Sequence, residues 1–195
     1  MNRARVHEQH LHSPFDDTHK SRHHGHMEIS DTDSPRSDAG PDSPRMLLAV
    51  DLGLKAGMAL YDGSGALLWC RSTHFASKKV LRQAVPSILK NTPAISHLVM
   101  EGDRILAEIW EKAARRRHIT CERVRPEIWR QSLLLPRQQR TGADAKRHAM
   151  QMATEIIRAS PSRNPTSLQV DAAEAVLIGY WAVQAHGWTA DSPRQ

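Results

Sequence analysis

A helix that is apolar nearly all round closes the sequence. Residues 169–181 read QVDAAEAVLIGYW, and from Val170 onward their only charged side chains are Asp171 and Glu174. A helix with apolar residues over most of its circumference is normally packed on several sides, so the rest of the chain must enclose this segment. Residues three apart share a helix face, so both acids point to the same place. That place is either a solvent strip or the surroundings of a cation, because an unpaired buried carboxylate is costly.

The first 45 residues differ in composition from the remainder. They are rich in His, Ser, Asp and Pro and poor in branched apolar residues, which predicts a disordered tail. Seven of the 12 His residues lie there, but the segment HHGH has neither cysteine nor regular ligand spacing and does not predict a metal site. With 6 of the 27 Lys and Arg and 8 of the 21 Asp and Glu in the tail, residues 46–195 have a net charge of +8. A basic domain favours a polyanionic partner such as nucleic acid.

Cysteine content and hydropathy indicate the cellular compartment that we expect for this protein. Cys70 and Cys121 are too far apart for a zinc motif, and two thiols without a secretory signal fit a reducing compartment. The apolar stretch 170–183 is too short and too interrupted to span a bilayer. We therefore expect a cytoplasmic protein without a membrane partner.

Strand and helix patterns follow one another along residues 46–188. The run RMLLAVDLG (45–53) is typical of a buried strand, and Asp62-Gly63-Ser64-Gly65 separates two β-like runs as a hairpin turn does. Further strands are predicted at 96–101 and 118–124, helices at 77–91, 103–117, 126–135, 144–159 and the closing segment, and a basic loop at 136–143. This order predicts one α/β domain over 46–188, in which three antiparallel strands followed by parallel strands form a mixed sheet flanked by helices. Residues 189–195 are predicted to be a flexible C-terminus.

Two of the buried strands end on a carboxylate, at Asp51 and Glu101. The functional crevice of an open α/β sheet lies at the carboxyl ends of its strands, and neighbouring strands are about 4.8 Å apart. If these strands are adjacent and parallel, their acids converge, and the closing helix can add Asp171 and Glu174. Four carboxylates that lie so close together repel one another unless cations offset their charges. A set of ligands made only of oxygen atoms suits Mg²⁺ or Mn²⁺. The alternative is that each strand-end acid caps the following turn.

Such a cluster has a specific chemical use. Two hard cations about 3.5–4 Å apart can hold the attacking water and the departing oxygen of a phosphodiester in line. The pattern therefore predicts a nuclease with two divalent cations in its site.

Residues 46–187 resemble the RuvC-type Holliday junction resolvases of the ribonuclease H-like superfamily. The resemblance is carried by LLAVDLG, LVMEG, CERVRPEIWRQSLL with TGADAKRHAMQMATEII, and NPTSLQVDAAEAVLIG. The last segment is the most specific, because it is similar to the family's terminal Asp-Ala-Ala-Asp-Ala helix. The resemblance implies a ribonuclease H-like fold and a Mg²⁺-dependent endonuclease of DNA recombination and repair, which cuts four-way junctions as a homodimer.

The resemblance also implies roles for the acids. Asp51 and Glu101 would be the metal ligands of the first and second buried strands, and Asp171 and Glu174 would complete the catalytic site. Glu174 departs from the aspartate that is usual at its position, which moves the carboxylate outward by about one bond.

Basic residues are expected to contact the nucleic acid. Arg130 and Lys146 fall where the family has basic residues that contact the scissile region, and Lys146 is the one we count as catalytic. Solvated helix charges are the alternative for both. The basic loop looks longer than the family's connection, and its Arg137 and Arg140 are expected to contact phosphate, which positions the protein without reading sequence.

Three other interpretations of the same residues remain. YqgF-type RNA-processing nucleases share the pattern of the first strand. Actin-like ATPases have a phosphate loop similar to DLGLKAG, but they need a second domain to close over nucleotide. A non-catalytic junction-binding module would keep the fold without cleavage, and Glu174 is the feature that favours it.

Overall fold

The computed structural model of the protein describes residues 45–92, 94–139, 141–161 and 167–188. The predicted tail up to residue 44 and the predicted flexible C-terminus, 189–195, lie outside the described residues. The domain boundaries at 46 and 188 therefore stay predictions.

Strands and helices appear in the predicted order, with ends within a few residues of those expected. The strands are β1 (Met46–Leu52), β2 (Lys55–Tyr61), β3 (Leu67–His74), β4 (Ile95–Gly102) and β5 (Thr120–Arg123). The helices are α1 (Lys78–Lys90), α2 (Arg104–Arg115), α3 (Pro126–Leu133), α4 (Gly142–Ala159) and α5 (Val170–Ala185). None of the helices in the described ranges combines the length and the hydropathy that a membrane span needs.

The segment predicted as a basic loop, 136–143, contains a helical turn and the start of a helix. Pro136–Gln139 forms a 3-10 turn, and α4 begins at Gly142. Thr141 caps this helix, because its side chain accepts a hydrogen bond from the backbone N–H of Asp144. The connection between α3 and α4 is therefore as long as predicted but lies two residues earlier in the chain, at 134–141.

The strands form one mixed sheet in the order β3-β2-β1-β4-β5. The pairs β1–β2 and β2–β3 are antiparallel, and the pairs β1–β4 and β4–β5 are parallel. The predicted mixed α/β sheet flanked by helices is confirmed. Because β1, β4 and β5 are parallel, their carboxyl ends lie at one edge of the sheet.

Side chains of β1 alternate between two apolar layers. Leu48 and Val50 pack with α1 and α2, whereas Leu47 and Ala49 pack with α3, α4 and α5 on the opposite side of the sheet. Successive side chains of a strand point to opposite faces. Asp51 therefore leaves the sheet on the side of α5.

Two glycines let α5 lie directly on the sheet. A Cβ atom at Gly57 would overlap the carbonyl oxygen of Asp171, and one at Gly179 would overlap the ring of Tyr61. The Tyr61 hydroxyl donates a hydrogen bond of 2.6 Å to the carbonyl oxygen of Val176. The prediction that the closing helix is enclosed is confirmed, since most of its residues are buried.

Candidate metal centre

Asp51 and Glu101 are direct neighbours at the carboxyl edge of the sheet. They are paired across the parallel strands β1 and β4, so the condition on which their convergence depended, that these strands are adjacent and parallel, is met. Both side chains leave the sheet toward α5, because Ala49 and Val99, two residues earlier, pack in that layer. Gly102, with φ of 119°, turns the chain away directly after Glu101.

The first turn of α5 brings Asp171 and Glu174 to the same edge. Gly57 pairs with Asp51 across β1 and β2, so the close approach of Asp171 to Gly57 places this turn beside Asp51. Asp171 is 8% exposed and is the only buried charged residue in the described part of the chain. Glu174 is half-buried. The structure thus brings together the four acids that the sequence singled out.

The proximity of the acids is visible in the pKa of Asp51. This pKa is raised from 3.8 to about 7, first by burial, then by the negative charges of Glu174, Glu101 and Asp171, and last by a hydrogen bond with Glu174. The pKa of Glu101 is also raised, chiefly by burial, although Trp129 and Arg130 act in the opposite direction. Like charges in a poorly hydrated site disfavour the ionised form. A cation at this edge would relieve that repulsion.

Helix α3 supplies partners for two of the carboxylates. The Trp129 indole Nε1 donates to Glu101 Oε2 over 3.1 Å. The Arg130 guanidinium lies 3.2 Å from Glu174 Oε1, and its central carbon is 4.9 Å from the Trp129 ring centroid. Pro126 starts this helix, which suits the missing N–H of proline. Arg130 therefore lies at the acidic edge, where it neutralises a carboxylate, and its contact with nucleic acid stays a prediction.

Asp171 is held from the other side of the site. The Ser72 hydroxyl, on the edge strand β3, donates to Asp171 Oδ2. The Lys55 ammonium, at the start of β2, is 3.4 Å from Asp171 Oδ1 and 3.0 Å from the side-chain oxygen of Gln169. A cavity of about 260 Å³ opens next to this group and is lined in part by Ser72 and Gln169. The buried aspartate is thus satisfied by a hydroxyl and an ammonium.

The four acids are the type of ligand that a hard divalent cation prefers, but their carboxylate groups do not converge on one point. Among the described residues, no group of three or more His, Cys, Asp or Glu side chains is spaced to hold a metal ion. The contacts explain this spacing, because Glu101, Asp171 and Glu174 each turn toward a donor of the protein. Oxygen ligands and unrelieved negative charge are what Mg²⁺ or Mn²⁺ satisfies. The residues therefore fit such an ion if it displaces some of these donors, and the predicted two-ion site stays a prediction.

The other basic residues predicted to contact nucleic acid are Lys146, Arg137 and Arg140. Lys146 is exposed on α4, and Arg137 is exposed in the 3-10 turn. Within the described part of the chain, neither forms an ion pair with the four acids. Arg140 lies outside the described residues. The nucleic-acid role of these three residues stays a prediction.

Sequence reasoning missed Lys55, Ser72 and Trp129. Lys55 stands inside the DLGLKAG segment, four residues after Asp51, and Trp129 directly precedes Arg130, so both were close in sequence to residues already selected. Ser72 gave no signal, since it contacts a residue 99 positions away.

A larger cavity, of about 500 Å³, lies between α1 and α2 on the opposite side of the sheet. Glu108 is the only acid in its lining, which also contains Arg82, Lys112 and Arg116. It therefore offers no set of carboxylate ligands comparable with the sheet edge.

Comparison with known proteins does not assign a family. No protein-family model matches the chain, and no curated protein matches it. Among solved structures, the catalytic core domain of BIV integrase aligns with a TM-score of 0.31 and 9% identity over 78% of this chain and 86% of that chain. A simian T-cell lymphotropic virus intasome, in complex with PP2A regulatory subunit B56 gamma, aligns with a TM-score of 0.30 and 7% identity over 72% of this chain and 48% of that chain. Similarities at this level assign neither a family nor an activity.

Proposed function

We propose that this protein is a metal-dependent nuclease of ribonuclease H-like fold that hydrolyses phosphodiesters in four-way DNA junctions, as RuvC-type resolvases do. The observation that carries the proposal is that Glu101, Asp171 and Glu174 lie near Asp51, whose carboxyl has a pKa of about 7. Turn capping does not account for Glu101, because the N-cap that follows β4 is a separate residue, Asp103. Strongly perturbed titratable groups in one crevice are typical of functional sites.

The position of the acids in the sheet supports the fold assignment. An antiparallel half precedes a parallel half, and the first strand lies in the centre of the sheet. The acids lie at the carboxyl ends of β1 and β4 and on the last helix, which are the positions that the resemblance implied.

The four acids would hold Mg²⁺ or Mn²⁺, and such ions supply an activated water and stabilise the charge of the departing oxygen when bound. The protein's own groups orient these ligands. Trp129 holds Glu101, Arg130 holds Glu174, and Ser72 holds Asp171. Each of these donors fixes one carboxylate oxygen, and the second oxygen of Asp171 is paired with Lys55.

Positive charge beside this site supports a nucleic acid as the substrate. Residues 46–195 have a net charge of +8, and Arg130 and Lys55 lie at the acidic edge itself. Arg137 and Lys146 are exposed and can contact phosphates at a distance from it. The choice of a four-way junction, and of a homodimer with two symmetric sites, comes from the RuvC-type resemblance and fits a two-fold substrate.

The test uses the purified full chain with a mobile four-way DNA junction in Mg²⁺ and in EDTA, with linear duplex and structured RNA in parallel. We expect paired, symmetric nicks on the junction in Mg²⁺ alone. Asp171→Asn should keep the fold and the binding of DNA but lose cleavage, since an amide retains shape while it removes charge. Glu108→Gln, at an exposed position of α2, is the matched control and should cleave normally.

Other outcomes would select other functions. Cleavage of RNA alone would identify the RNA-processing nuclease, and binding without any nick would identify the non-catalytic module. Normal cleavage by Asp171→Asn would refute the assignment of this acid.

A further inference from the structure

Lys55 is placed between the acidic site and solvent. It begins β2 at the sheet edge where β1 ends, and its side chain is 55% exposed, whereas that of Asp171 is 9% exposed. Its ammonium has two acceptors, the Asp171 carboxylate at 3.4 Å and the Gln169 side-chain oxygen at 3.0 Å. The ammonium can therefore leave Asp171 along an open path while it keeps a second acceptor.

The other cation of the site is held more firmly. Arg130 lies over the Trp129 ring at 4.9 Å and is 3.2 Å from Glu174. Its side chain is 33% exposed. A planar guanidinium stacked on an aromatic face has less freedom than an ammonium on a flexible stem. Of the two cations, Lys55 is the one that can move at low cost.

The formal charges of the site indicate the condition under which Lys55 would leave Asp171. The four carboxylates with Lys55 and Arg130 have a net charge of −2 when all are ionised. Two divalent cations would change that charge to +2, so the fixed cations would repel the ions and would themselves lose their acceptors. A phosphodiester and an attacking hydroxide, at −1 each, would restore neutrality.

We infer that Lys55 is a resident counter-ion of the acidic site, which holds Asp171 in the absence of metal and transfers to a phosphate of the bound nucleic acid when a divalent cation takes Asp171. This inference rests on the proposed function. It accounts for the spacing of the carboxylates, because a ligand paired with an ammonium does not turn toward a metal position. It makes Lys55 a residue whose contact with nucleic acid depends on the metal.

The first experiment measures Mg²⁺ affinity by calorimetric titration of the full chain without nucleic acid at low salt. Lys55→Gln should bind Mg²⁺ about two- to fivefold more tightly than the wild type, which is the strength of an exposed ion pair. Lys55→Arg keeps the charge and should bind as the wild type does. Lys112→Gln, on α2 across the sheet, controls for the loss of one positive charge. Unchanged or weaker Mg²⁺ binding by Lys55→Gln would overturn the inference and leave the proposed metal site intact.

The second experiment measures the affinity for a four-way DNA junction in EDTA and in Ca²⁺, a hard cation that takes the same oxygen ligands. We expect Lys55→Gln to bind DNA as tightly as the wild type in EDTA and about two- to fivefold more weakly in Ca²⁺, the range of one exposed charge contact. An equal loss in both conditions would show that Lys55 contacts DNA independently of metal, which contradicts the exchange. If the wild type binds no divalent cation in the titration, the proposed function itself fails, and the inference fails with it.

Discussion

Replacing Asp51 with Asn should stabilise the metal-free protein at neutral and higher pH. In the folded chain the pKa of Asp51 is raised from 3.8 to about 7, first by burial and then by the charges of Glu174, Glu101 and Asp171. Between these two pH values the folded chain keeps a proton that the unfolded chain has released. Unfolding therefore releases a proton, and the free energy of unfolding falls as the pH rises through this window. Above about pH 7 the full destabilisation is present.

The size of the effect follows from the difference between 3.8 and about 7. At about 1.4 kcal/mol for each pKa unit, the ionised carboxylate destabilises the folded state by about 4 kcal/mol at most. Asp51 is only partly buried, and solvent screening reduces this value to about 2 to 4 kcal/mol. The asparagine amide has no charge and can still donate a hydrogen bond to Glu174. For a domain of this size, the expected increase in Tm at pH 8 is about 5 to 15 °C.

The assay is urea unfolding in EDTA at pH 4 and pH 8 for the wild type, Asp51→Asn and the control Glu108→Gln. Other acids also titrate in this range, so the informative quantity is how the gap between the variant and the wild type changes with pH. We expect no gain at pH 4 and the full gain at pH 8. A variant that is less stable than the wild type at pH 8, or a gap independent of pH, would refute the reasoning. Mg²⁺ should stabilise the wild type and have little effect on this variant.

Further predictions concern the elements around the acids. Gly57→Ala should push the first turn of α5 away from β2, because the new methyl group overlaps the Asp171 carbonyl oxygen, and calorimetry should show weaker Mg²⁺ binding together with a lower Tm. Trp129→Phe removes the donor that lowers the pKa of Glu101, so that pKa should rise further and urea unfolding at pH 8 should show a loss of about 1 kcal/mol. Arg137→Ala should weaken DNA binding modestly and reduce the slope of log affinity against log salt by about one, as measured by fluorescence anisotropy.

Much of the fold could be predicted from the sequence because its signals are local. Apolar runs bounded by Asp or Gly marked β1 and β4, and their strand-end acids marked the sheet edge, since parallel neighbours end together. The start of α4 was predicted too late, although Thr141 followed by Asp144 is a helix-start pattern that the sequence displays.

The partners of the acids could not be predicted, because they depend on tertiary register. Ser72 and Asp171 meet across 99 positions, and Lys55 and Gln169 across 114. No local pattern links such residues. Their contact follows from the pairing of β2 with β3 and from the close approach of α5 at Gly57.

The uneven charge of the sheet edge is best explained by function, because it contributes little to stability. A buried ion pair seldom repays the desolvation of its charges, and an excess of one sign is worse than a pair. Here Lys55 and Arg130 pair with two of the four carboxylates, and Asp51 is left with a pKa of about 7 at the carboxyl edge of the sheet. A chain under selection for stability alone would place an apolar or amide side chain at this position. An excess of negative charge is what the proposed site for divalent cations would require, and the stability of Asp51→Asn would measure its cost to the folded state.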